Sequence, residues 1–147
     1  MQQLGRYGAI VPLLGILGCG PSIQAQCQAI SEVTQDAMTQ FAEAYSANIG
    51  TSGYQASTET AIAAALTESA QAMDALEIHD KQLQVVQADL VSAYDKAAAA
   101  HTEMAQLIPA RGNPSAQRRQ QIDDIRAQAE ADIPPAIQAL SLRCVGY

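Results

Sequence analysis

An all-α fold, an up-down-up-down four-helix bundle, follows from three features of this chain. Aromatic residues are scarce, with no Trp, one Phe and five Tyr, while Ala and Gln abound. Ala, Gln, Glu and Leu lose little freedom in a helix, whereas sheets draw on β-branched and aromatic side chains. Four stretches repeat apolar residues at alternating spacings of three and four, the period of a helix with one buried face. The breaks between them are short and marked by Gly, Pro or a capping residue.

The first helix runs from Ser22, its N-cap, to about Asn48. Its seam is Ile23, Cys27, Ile30, Thr34, Ala37, Phe41 and Ala44, widened by Val33, Met38 and Tyr45. Ile49 to Gly53 breaks the pattern with two glycines. Ser57 or Thr58 is expected to cap the second helix, with Glu59 favourably placed against the dipole in its first turn. The second seam is Ile62, Leu66, Ser69, Met73 and Leu76. Glu77-Ile78-His79 connects to a third helix capped by Asp80, with the seam Leu83, Val86, Leu90, Tyr94, Ala97, His101, Met104 and Ile108. Ile108 to Pro114 is a loop. Ser115 opens the fourth helix, whose seam is Ile122, Ile125, Ala129, Ile133, Ile137, Leu140 and Cys144. Pro134 and Pro135 should kink or restart it near Asp132, a residue able to recap the second segment. Antiparallel pairing of the first and fourth helices also sets Glu43 near Arg126, a pair worth at most about 1 kcal/mol if exposed.

Ahead of the bundle lies a different kind of segment. Arg6 is the only charge before Glu32, and an apolar run from Tyr7 to Gly18 follows it. A basic residue followed by roughly a dozen apolar ones is the build of a secretory signal peptide. Spanning a bilayer takes about 20 apolar residues, and this run is shorter and carries Pro12 and Gly15. Residues 1–18 are thus expected to be a signal peptide and 19–147 a single helical domain.

Ile16-Leu17-Gly18-Cys19 resembles the lipobox of bacterial lipoproteins: aliphatic residues, a small one, then the cysteine that receives lipid. The resemblance implies cleavage between Gly18 and Cys19, with Cys19 diacylated and anchored in a bilayer. Leu17 stands where that family more often has a small residue. Ile23-Gln24-Ala25 offers ordinary signal peptidase a competing site, which would leave a soluble periplasmic or secreted protein beginning at Gln26. With Cys19 lipidated, Cys27 and Cys144 remain as a disulfide pair for an oxidising compartment, the alternative being two buried thiols. The bundle topology puts the start of the first helix and the end of the fourth at one end, which makes the two cysteines neighbours.

Ala75-Leu76-Glu77-Ile78-His79-Asp80-Lys81-Gln82-Leu83, with a cysteine upstream and another near the C-terminus, is similar to small exported helical proteins of cyanobacteria without an assigned function. At the level of architecture the chain also resembles helical lipoproteins that dock on the lumenal face of photosystem II, an analogy of fold alone.

The net charge of −7 becomes −8 once Arg6 leaves with the signal peptide. Such a surface repels phosphate backbones, which excludes nucleic acid as a partner. Membrane attachment would have to come from acyl chains, because no polybasic patch exists. Di-iron bundles need Glu-x-x-His motifs and c-type haem needs Cys-x-x-Cys-His, and the sequence has neither. It also lacks a Gly-rich phosphate loop and a nucleophile elbow. His79, beside Glu77 and Asp80, is a weak metal candidate. His101 is a second, with Met38 or Met73 as a conceivable haem co-ligand, but a histidine on an aliphatic seam is ordinarily part of the core. No cofactor and no enzymatic activity are expected. The residues favour a membrane-anchored accessory or scaffold protein docking on a membrane protein complex, at the periplasmic, outer-membrane or thylakoid-lumen face. The alternative is a periplasmic bundle that binds a small ligand or metal.

Overall fold

The computed structural model of the chain describes residues 21–47 and 54–145. The expected signal peptide, the lipidation residue Cys19 and the two-glycine break at Gly50 and Gly53 lie outside the described residues.

Five helices follow in order: α1 (Ile23–Ser46), α2 (Ala56–Asp74), α3 (Lys81–Leu107), α4 (Ala116–Glu130) and α5 (Ile133–Cys144). No strand occurs among the described residues. The last two helices are the expected fourth helix split in two, so the architecture is the four-helix bundle that the periodicity predicts. The split has the expected cause. Pro134 and Pro135 occupy the first turn of α5, where a missing backbone donor costs nothing, while the same rings bar a helix from running through Glu130 and Ala131.

Three of the expected caps are present. Ser22 Oγ accepts the Ala25 N–H at 3.1 Å, Asp80 Oδ1 accepts those of Gln82 and Leu83 at 3.0 Å each, and Ser115 Oγ accepts that of Arg118 at 3.3 Å. Two expectations need correction. Gln55, not Ser57 or Thr58, precedes the first turn of α2, and its backbone carbonyl accepts the N–H groups of Thr58 and Glu59. The turn starts early because Tyr54 and Ala56 pack into the core around Met104, while Thr58 faces inward. Asp132 stands at the N-cap position of α5 but makes no capping bond, because its carboxylate reaches Lys96 Nζ at 2.8 Å instead.

All eight predicted seam residues of α3 are buried, which makes it the central helix. It packs against α1, α2, α4 and α5. The main core joins α1, α2, α3 and α5 around Ile30, Ile62, Leu66, Met73, Leu83, Leu90 and Tyr94. A smaller core of Met104, Ile108 and Ile122 fixes α4 to the far end of α3. Helix α4 is polar on most sides, and only Ile122 and Ala129 of its predicted seam are buried. Two predicted members of the α1 stripe are also outside: Met38 is 53% and Tyr45 37% exposed. Met38 lines a cleft beside the proline-imposed break.

Candidate functional site

The sequence-predicted residues fall at two separate levels of the bundle. At one end Cys27 and Cys144 are joined in a disulfide, with Cα atoms 5.8 Å apart and 117 residues between them in sequence. The α2–α3 connection closes the same end. Gln26, buried next to Cys27, clasps it: Oε1 accepts the N–H groups of His79 and Asp80 at 2.7 and 3.0 Å. The other side of that amide, Nε2, donates to the Pro21 carbonyl at 2.8 Å. One side chain therefore ties the chain entering α1 to the connection before α3. Across from it, Arg143 Nη2 reaches Asp80 Oδ2 at 3.1 Å, securing the end of α5 to the start of α3. Asp80 is held below the usual carboxylate range by the Leu83 N–H first, and by Arg143 and the Gln82 N–H, against a smaller opposing effect of burial.

His79 sits exposed in this connection, with only its backbone fixed by Gln26. Its neighbour Asp80 is already committed to the α3 cap and Arg143. No group of three or more His, Cys, Asp or Glu side chains placed to hold a metal ion occurs among the described residues.

His101 lies some 30 Å along α3 from that end, given a rise of about 1.5 Å per residue, so the two histidines share no site. It is fully enclosed, and its Nδ1 is 2.6 Å from Glu59 Oε2. Glu59, only 2% exposed, accepts a second bond at Oε1 from Arg126 Nη2 at 2.7 Å. Arg126 also reaches Asp123 at 3.4 Å, and the Tyr54 hydroxyl donates to that carboxylate at 3.1 Å. Burial by itself would raise the Glu59 carboxyl. The bonds from His101 and Arg126 and the guanidinium charge outweigh it, so Glu59 is held below its ordinary value. An ionised Glu59 makes His101 Nδ1–H the donor. Nε2 has no hydrogen-bond partner among the described residues, and with Phe41 edge-on at 6.0 Å the imidazole is walled off. This is a buried structural network, and it pairs Arg126 differently from the sequence-based expectation. Glu43 is exposed, because Phe41 and Ala44 take the inward positions of α1 and α4 packs chiefly on α3.

Next to this network is an apolar cleft of about 210 Å³. It is lined by Ala37, Met38 and Phe41 of α1, Leu66 of α2, Tyr94 of α3, and Ile133 and Pro134 of α5. Burial raises the Tyr94 phenol, partly offset by the neighbouring Thr34, and its hydroxyl has no well-formed hydrogen bond among the described residues.

Sequence reasoning missed Gln26, the Glu59–His101–Arg126 network and the cleft. Glu59 did leave a signal, because it extends the α2 seam backward by one step of three from Ile62. No family model matches the chain, and no curated protein or solved structure matches it either.

Proposed function

We propose that the protein is a lipid-anchored, non-enzymatic helical accessory protein on the exported face of a bacterial membrane, acting by docking onto a membrane protein complex. The observation that carries this reading is the construction of the end where the chain enters. Only Gly20 and Pro21 stand between Cys19 and the Ser22 cap, and the Pro21 carbonyl is already held by Gln26. Three residue steps reach about 10 Å at most, so acyl chains on Cys19 would keep this end against the bilayer. The disulfide beside it suits an oxidising compartment. The enclosure of His101 and its bond to Glu59 support a structural role for that histidine, and the cleft offers an apolar face to a partner.

Mass spectrometry of the N-terminal peptide, taken from native membranes, tests the anchor. A diacylated Cys19 is the expected result, and a chain starting at unmodified Gln26 would overturn it. Crosslinking in the same membranes tests the docking: a discrete adduct with a membrane protein is expected, and a protein that stays uncrosslinked counts against it. The cleft at Tyr94 favours a second reading, a bundle that binds a small apolar molecule. Native mass spectrometry of protein purified without detergent distinguishes the two, since a stoichiometric small-molecule adduct belongs to the second reading alone.

A further inference from the structure

Five large apolar side chains are exposed among the described residues: Met38, Tyr45, Val85, Leu142 and Val145. Met38 and Tyr45 flank the cleft region of α1. The other three gather at the opposite end, where the chain enters from Cys19. Leu142 is 73% exposed and Val145 78%, on either side of Arg143 and the disulfide residue Cys144. Val145 leaves α5 in an extended conformation, beyond the last helical turn. Val85, 60% exposed, stands in the second turn of α3 on the end capped by Asp80, and the Asp80–Arg143 pair ties that end to α5. Leu142 and Val145 lie within about 5 Å of the end of α5 along its axis.

Charge sets this end apart as well. Asp74, Glu77 and Asp80 are met there by Lys81 and Arg143, which leaves one net negative charge among these side chains. Residues 21–31 of α1 and its entry carry no charge, in a chain whose net charge is −7. Acidic surface elsewhere is repelled by anionic headgroups, whereas an end close to neutral and bearing exposed aliphatic side chains is repelled far less. Apolar side chains held at a headgroup boundary gain from leaving water.

We propose that Leu142 and Val145, with Val85 at the same end of the bundle, form a bilayer-contact surface that seats the tethered end of the bundle in the lipid interface. The partner is a lipid surface, because the chain that leads to Cys19 leaves the bundle at this end. The inference rests on the lipid anchor proposed above. Contact through these side chains gives the bundle a fixed upright orientation, with the cleft held roughly 25 Å away, about sixteen residues of α1 beyond the Ser22 cap.

The absence of Trp from the sequence makes the test direct. Leu142→Trp, Val145→Trp and, as a control on exposed α4, Gln120→Trp each introduce one indole into the full-length, membrane-processed protein. Each is reconstituted in phosphatidylcholine vesicles with and without brominated acyl chains. The indoles at positions 142 and 145 should shift to the blue and lose at least half their emission to the brominated lipid, while the indole at 120 should do neither. Intact mass of the same preparation reports the acyl chains on Cys19 separately. A lipidated protein whose indoles at 142 and 145 behave like the control overturns the contact surface and leaves the anchor standing. A protein without acyl chains overturns both.

Discussion

Glu59 is the residue on which most local electrostatics converge. A carboxylate 2% exposed, bonded to an enclosed imidazole and a partly buried guanidinium, leaves two unpaired groups when it is removed. Glu59→Ala should therefore destabilise by about 3 kcal/mol, the scale for breaking a buried ion pair, read as a lowered urea midpoint. Arg126→Ala should cost less, because Arg126 is 24% exposed and water can replace part of what it donates. The same residue predicts an acid response. Its folded carboxyl sits below its unfolded value, so its contribution is complete above the ordinary glutamate range of about 4.3. It is lost as the pH falls through that range toward the depressed native value. Asp80, also lowered, acts in the same direction. Thermal melts should hold steady near neutrality and fall below about pH 5, and the Glu59→Ala variant should show a shallower fall. Identical slopes in the two proteins would remove Glu59 as a cause. Little of this network was legible in advance. A glutamate in a first turn reads as a dipole contact, and only its place on the seam hinted that it points inward.

Among the elements, α4 is the one with the least to hold it. Its surface is largely polar, it packs chiefly on α3, and its apolar attachment is the small core around Ile122. Its cap should then matter more than caps on α1 or α3, which are braced by neighbours. Ser115→Ala should cost about 1 kcal/mol and speed amide exchange within α4 while leaving α2 and α3 unchanged; uniform acceleration across all helices would contradict this. The periodicity of α1, α2 and α3 was read directly, because each buries a continuous stripe. The α4–α5 break was also legible, since two adjacent prolines can hardly be accommodated inside a helix. The role of Asp132 was not, because Lys96 is 36 residues away in sequence and competes for its carboxylate.

For the whole molecule the disulfide is the main long-range constraint. It closes a loop of over a hundred residues around an Ala-rich core that buries little per residue. In the chain-entropy account such a crosslink stabilises by about 4–5 kcal/mol, less any native strain. Cys144→Ser, or reduction of the native protein, should lower the melting temperature by on the order of 10 °C or more. An unchanged melt would show that the crosslink carries no stability. The disulfide also braces the end that the lipid anchor is proposed to hold, where Gln26 and the Asp80–Arg143 pair add to it.

The four helical stretches, their boundaries within a few residues, most of the buried faces, the proline break and the placing of Cys27 and Cys144 at one end of the bundle were legible in the sequence. The joining of the two cysteines in a disulfide stood there beside the alternative of two buried thiols. Each of the legible features follows from local periodicity, from a proline's covalent geometry, or from the antiparallel order that short loops impose. Only the tertiary structure decided which charges are buried, that Arg126 meets Glu59 and not Glu43, and that Gln26 clasps His79 and Asp80. It also decided where apolar side chains stay exposed, at the cleft and around Leu142 and Val145. Those outcomes depend on the rotation and tilt of one helix against another. A change of one residue's angular step, about 100°, moves a side chain from core to water without altering the period that a sequence displays.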